Sequence, residues 1–208
     1  LAGNVWALAQ DVRGCRRVQV AFDTVEDDAA REAIADELRG HVVDAARCPH
    51  GNHVLQKAMA TLRPSALQFV VDEVMEAHPL QLARHKYGCR IVQRCVQHCS
   101  GLQTKRVVDA VLSDLPALAR HVYGNYVVQT VLQQGPEGPR EVILEFIQRE
   151  MRVLAADTFG CAVIAAALAH GPLQLRSRLA KQLADVSGLL LFMTSSRYGG
   201  GGALPAPP

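Results

Sequence analysis

A six-residue phrase returns along this chain at a nearly constant step, and no other feature limits the fold so tightly. It runs Gly, then Asn or Cys, then a polar or aromatic residue, then two mostly apolar residues, then Gln. The copies are GCRRVQ from Gly14, GNHVLQ from Gly51, GCRIVQ from Gly88 and GNYVVQ from Gly124. A decayed copy, GCAVIA, starts at Gly160, and the steps between glycines are 37, 37, 36 and 36 residues. A last trace, Arg197-Tyr198-Gly199, lies 39 residues further on and runs into glycines. Self-similarity at such a period marks stacked supersecondary units, each unable to bury its apolar face alone.

The segments between the phrases carry helical signals. Residues 64–77 open on Pro64 and keep apolar residues at helical spacing, and 101–115, 139–151 and 172–186 behave alike. Residues 27–38 place acids in a first turn, where they favour a helix N-terminus. Each repeat is expected to hold a long helix of this kind, a short apolar turn such as Leu80 to Ala83, and a helix beginning at the phrase. Stacked, these give an all-α chain, an α-solenoid with a curved face. The low aromatic content, one Trp, four Tyr and five Phe, also favours helices over a large β-sandwich or barrel. Residues 199–202 are four glycines followed by ALPAPP, a composition that cannot form a packed helix and is expected to be disordered.

On a helix, the residue after Gly (slot one) and Gln (slot five) are four apart and share a face, with slot two on its flank. Slots one and five hold Cys15 and Gln19, Asn52 and Gln56, Cys89 and Gln93, Asn125 and Gln129. Slot two holds Arg16, His53, Arg90 and Tyr126. Carboxamides both donate and accept, so a pair one turn apart suits the Watson–Crick edge of a base. Arg, His and Tyr offer flat faces on which a base stacks. One edge-reading pair with one stacking plane, repeated at fixed spacing, is a device for reading one base per repeat.

These residues resemble the Pumilio (PUF) family of RNA-binding repeats from about residue 5 to residue 198. The resemblance implies a right-handed superhelical arc that binds single-stranded RNA, with residues 1–198 a partial Pumilio homology domain. Its phrase helices are expected near 14–22, 51–59, 88–99, 124–134 and 160–170. By the family's pattern, Asn with Gln reads uracil and Cys with Gln reads adenine. With RNA antiparallel to the protein, the implied core is 5′-UAUA-3′, read from Gln129 back to Gln19. The copies are similar to the third to sixth of the usual eight repeats, with Gly160 opening the seventh. At least two repeats are therefore expected to precede Leu1, whose place at the start fits a segment of a longer protein. In the copy at Gly160, Cys161 and Ala165 stand where the family places a guanine-reading Ser and Glu, and Ala162 offers no stacking plane. After Gly199 the slots fall on Gly200, Gly201 and Leu204. The implied role is post-transcriptional control through 3′ untranslated regions of messenger RNA in the cytoplasm, with deadenylases or translational repressors as protein partners on the outer face. The alternatives are a divergent member acting in nucleolar ribosomal RNA processing and a solenoid scaffold for proteins.

The charge pattern accords with a phosphate neighbour. The chain is near neutral, with 22 basic and 20 acidic residues, yet the five phrase windows hold no Asp or Glu. They hold Arg16, Arg17, Lys57, Arg90 and Arg94. Six cysteines, with no leader-like pattern in residues 1–20 and no membrane-length apolar run, are expected to be reduced in an intracellular protein. Cys95, His98 and Cys99 offer only three metal ligands on one short helix, and Cys48 with His50 and His53 does no better, so no metal or cofactor is expected. Armadillo and HEAT repeats lack a fixed polar pair, and tetratricopeptide landmarks are missing. No phosphate loop, nucleophile elbow or HExxH motif is present, so the chain is not expected to be an enzyme.

Overall fold

A computed structural model describes residues 2–185. It divides into two compact units, residues 1–114 and 115–208. The trace at Arg197-Tyr198-Gly199, the slots at Gly200, Gly201 and Leu204 and the glycine run lie outside the described residues.

The first unit contains three repeats built alike. The first comprises α1 (Val5–Ala9), α2 (Gly14–Thr24) and α3 (Asp28–Asp36). The second comprises α4 (Val42–Arg47), α5 (Gly51–Thr61) and, after a 3-10 turn at Pro64–Leu67, α6 (Gln68–Glu76). The third comprises α7 (Pro79–Ala83), α8 (Gly88–His98) and α9 (Gly101–Leu112). The second unit contains α10 (Leu115–Ala119), α11 (Gly124–Gln134) and α12 (Glu137–Arg149), then α13 (Met151–Ala155), α14 (Thr158–His170) and α15 (Leu173–Asp185).

Two sequence expectations need correction. The segments expected as short turns, Leu80 to Ala83 among them, are helices of five or six residues. Such helices are too short to be stable alone and need an external cap. In the first repeat the Glu37 carboxylate supplies it, accepting from Gly3 N at 2.8 Å and Val5 N at 2.9 Å. In the second, Glu73 accepts from Gly40 N at 2.8 Å and Val42 N at 3.0 Å. Gly3 and Gly40 take left-handed φ values of +74° and +77°, which turn the chain into these caps. The third repeat starts its short helix on Pro79, which has no N–H to satisfy. The second correction concerns residues 64–77. Pro64 starts a 3-10 turn there, and the α-helix begins only at Gln68.

The phrase glycine is explained by a close crossing. An added Cβ on Gly14 would lie 2.4 Å from the carbonyl oxygen of Leu8, and one on Gly160 2.4 Å from that of Leu154. Each phrase helix thus crosses the short helix before it with backbone against backbone. The apolar residues between the slots fill the core. Phe22, Leu55, Met59, Ile91 and Leu132 are fully buried in phrase helices, each contributing roughly 1.5–3 kcal/mol relative to exposure. In the first unit α2 packs on α5 and α5 on α8; in the second α11 packs on α14. The phrases of neighbouring repeats are thereby brought side by side.

Candidate nucleic-acid interface

The slot-one side chains point inward. Asn52 is 1% exposed and Asn125 2%, while Cys15 and Cys89 are equally buried. Asn52 spends both amide hydrogens on the preceding loop, donating to Cys48 O at 2.7 Å and Pro49 O at 3.0 Å. Asn125 does the same to His121 O at 2.8 Å and Val122 O at 3.1 Å. Their carbonyl oxygens face slot five. Gln56 Nε2 donates to Asn52 Oδ1 at 2.9 Å, and Gln129 Nε2 to Asn125 Oδ1 at 2.8 Å. Each Asn is therefore a bracket between the helix start and the Gln amide.

In the Cys copies the bracket is replaced by backbone. Gln19 Nε2 donates to Cys15 O and Gln93 Nε2 to Cys89 O, both at 3.1 Å. The thiols donate to carbonyls three residues back, Cys15 to Val12 at 3.4 Å and Cys89 to Lys86 at 3.5 Å. Burial pushes the Cys89 thiol up to about 11, so it stays protonated at neutral pH. Gln19, Gln56 and Gln93 are half-buried and keep part of the amide open to solvent. Gln129 is only 4% exposed, which makes the copy at Gly124 the most closed of the four.

The slot-two residues flank the glutamines as their helical phase requires. Arg16 and His53 are exposed, Arg90 and Tyr126 half-buried. Between the first two copies lies an open groove of about 460 Å³, lined by Cys15, Arg16, Gln19, His50 and His53 together with Val12 and Pro49. It places an edge-presenting amide and two planar cationic or aromatic groups around one space, an arrangement suited to holding a flat heterocycle.

Two features escaped the sequence reading. The first is an acceptor three residues before the phrase glycine. Asp11 accepts from Gly14 N at 2.6 Å and Arg13 N at 2.8 Å; His85 Nδ1 accepts from Gly88 N at 3.1 Å and Tyr87 N at 3.2 Å. His121 and Asp157 repeat this at Gly124 and Gly160. The backbone bonds hold the Asp11 carboxyl below its ordinary value, and burial with nearby Arg47 holds the His85 imidazole low. The signal was present as Asp, His, His and Asp at one phase of the period. The second feature is Arg94. Its Nε donates to Gln56 Oε1 of the preceding repeat at 3.4 Å and its Nη1 to Gln97 Oε1 at 3.1 Å.

The charge expectation changes in one respect. Helix α2 extends to Thr24 and so carries Asp23, which pairs with Lys57 at 2.5 Å. That acid lies two turns beyond the slots and neutralises a basic residue of the next copy.

All six cysteines are free. Cys95 and Cys99 hydrogen-bond to one another, which together with burial raises the first thiol and lowers the second. Among the described residues no group of three or more His, Cys, Asp or Glu is placed to hold a metal. Cys161 differs from its counterparts. Its thiol donates back to Ala155 O at 3.3 Å and Leu154 O at 3.9 Å, and the Ala162 beside it is buried.

A sequence model described as the Pumilio-family RNA binding repeat matches residues 4–39, 41–75, 80–112 and 115–147. Comparison with curated protein sequences gives no match. Among solved structures, PUF-8 in complex with PBE-RNA is similar at 29% identity with a TM-score of 0.85, covering 94% of this chain and 58% of that one. The Puf3 RNA-binding domain bound to a Cox17 RNA 3′ UTR site superposes with a TM-score of 0.82 at 24% identity, covering 95% of this chain and 60% of that one. The RNA-binding domain of yeast Puf5p bound to SMX2 RNA reaches 0.72 at 19% identity, covering 94% and 55%. The chain thus spans somewhat more than half the length of these domains.

Proposed function

Since the chain belongs to the Pumilio family of RNA-binding repeat proteins, we propose that it binds single-stranded RNA by sequence, one base to each complete phrase. The observation that carries this reading is the uniform placement of Gln19, Gln56, Gln93 and Gln129, each tied through Nε2 to slot one of its own helix. An amide so tied keeps a second N–H and carbonyl lone pairs for a base edge. Cys15, Asn52, Cys89 and Asn125 set its position from behind. Arg16, His53, Arg90 and Tyr126 supply stacking planes. The preferred core is 5′-UAUA-3′, with Gln129 at the first base and Gln19 at the fourth. The kinship with PUF-8, solved with RNA at 29% identity, supports RNA as the ligand. The proposed setting is cytoplasmic regulation of messenger RNA through 3′ untranslated elements.

The test measures affinity for RNAs carrying 5′-UAUA-3′ and for each single-base change. Every change should weaken binding by about 1–3 kcal/mol, the scale of a lost edge contact. The double change Asn52→Ser with Gln56→Glu should move the third-base preference from uracil to guanine, whose two N–H groups suit a carboxylate. Equal binding of all third-base variants by both proteins would sink the reading.

A further inference from the structure

Gln56 is held from both ends, and one of the holders comes from the next repeat. Its Nε2 donates to Asn52 Oδ1 at 2.9 Å, and its Oε1 accepts from Arg94 Nε at 3.4 Å. Asn52 is itself fixed by its two bonds to Cys48 O and Pro49 O. Arg94 is braced by Gln97. Turning the Gln56 amide over would set its N–H groups against the Arg94 N–H and its oxygen against Asn52 Oδ1. Both contacts would become repulsive, so the order of donor and acceptor along this amide is fixed before a base arrives.

Order matters because the bases differ in it. Along the Watson–Crick edge uracil presents acceptor, donor, acceptor, and so serves an amide fixed in either order. Adenine and cytosine each place a donor before an acceptor and serve one order only; guanine serves the other. An amide free to turn therefore accepts any base, whereas a fixed one admits uracil and rejects part of the remainder.

We infer that Arg94 is a specificity-determining residue for the base read by the preceding repeat, acting by fixing the amide orientation of Gln56. It is a positioning residue, and the inference rests on the RNA-reading function proposed above. The corresponding place one period before Arg94 is Lys57, which pairs with Asp23, and two periods after it is Ala166, which has no donor to offer. Orientation control by a guanidinium is thus a property of the copy at Gly51 and is not shared by the copy at Gly124, although both present Asn with Gln.

The experiment compares the full chain with Arg94→Ala and Arg94→Lys. Affinities are measured for 5′-UAUA-3′ and for the RNAs with A, C or G at the third base and at the first base. Arg94→Ala should lower the preference for uracil over its most strongly rejected competitor at the third base by roughly two- to tenfold, the worth of one hydrogen bond. Preferences at the first base should stay unchanged. Arg94→Lys, which retains a donor, should recover part of the loss. If Arg94→Ala weakens every RNA by the same factor, the residue only attracts phosphate and the inference is overturned; unchanged third-base preference overturns it as well. If the unsubstituted chain itself ranks all third-base variants equally, the proposed reading at this repeat fails and the inference falls with it. A thermal unfolding curve of Arg94→Ala matching the unsubstituted chain assigns any change to reading rather than folding.

Discussion

Helices α11 and α14 have the same frame and present different chemistry. Both cross a short helix through a glycine, Gly124 against Leu118 and Gly160 against Leu154. Both start beneath an acceptor three residues earlier, His121 in one and Asp157 in the other. Yet α11 carries the Asn125–Gln129 bracket beside Tyr126, while α14 offers Cys161, Ala162 and Ala165. In α14 the slot-one thiol has turned back into the scaffold to meet Ala155 and Leu154. The frame is demanded by packing in every repeat. The slots are demanded only by a ligand, so they can be lost while the helix remains.

If the frame is shared, damage to it should be indifferent to reading. Gly160→Ala puts a methyl 2.4 Å from Leu154 O and 2.8 Å from its Cα; Gly124→Ala meets Leu118 Cδ2 at 2.8 Å and its carbonyl at 3.0 Å. Backbone cannot yield as a flexible side chain can, so the first change should destabilise by about 2–3 kcal/mol and the second by about 1–2 kcal/mol. Urea denaturation followed by circular dichroism measures both. Tolerance of Gly160→Ala alongside a large loss at Gly124 would break the comparison.

A smaller effect separates the two kinds of cap. His85 caps α8 through an unprotonated Nδ1, and burial, with Arg47 nearby, holds its pKa below the ordinary 6.5. A folded-state pKa below the unfolded one means that the unfolded chain takes up the proton first. The contribution is therefore complete above the unfolded value and is lost as pH falls below about 6.5 toward the folded one. The Asp11 cap, also lowered, keeps its contribution until pH falls below the model value of 3.8. Exchanging His85→Asp should remove part of the stability loss between pH 7 and pH 5, by a few tenths to roughly 1 kcal/mol, the worth of a helix cap. Urea midpoints at the two pH values test this, and an unchanged pH dependence would deny the imidazole its capping role.

Much of this architecture is legible in the chain because the repeat shows it five times. The glycine step, the apolar phase and the slots at Gln19, Gln56, Gln93 and Gln129 are local patterns, and helices form where they predict. The short helices were harder to read. Their stability comes from Glu37 and Glu73, which lie more than thirty residues from the N–H groups they cap. Arg94 was counted as one more basic residue, because nothing near it in sequence points to Gln56, 38 positions earlier. The inward turn of Asn52 and Asn125 was also hidden. Slot spacing places a side chain on a face, but only the neighbouring carbonyls of Cys48, Pro49, His121 and Val122 decide where its donors go.

The smallest effect runs in the opposite direction and asks whether the frame of α14 is still competent. Ala165 occupies slot five there and is half-buried, so Ala165→Gln adds an amide at the position where Gln93 sits in the third copy. Slot one is already Cys161, and the new side chain could donate to its backbone carbonyl as Gln93 does to Cys89 O. Buried Ala162 supplies no stacking plane, and the Cys161 thiol faces the scaffold. Only edge contacts would be gained, worth roughly 0.5–1 kcal/mol. The RNA 5′-AUAUA-3′ should then bind about two- to fivefold better than 5′-CUAUA-3′, while the unsubstituted chain treats the two alike. A preference present before the substitution would show that α14 already reads a base. No preference after it would show that the stacking plane at slot two, and not the edge alone, is needed for a repeat of this frame to read.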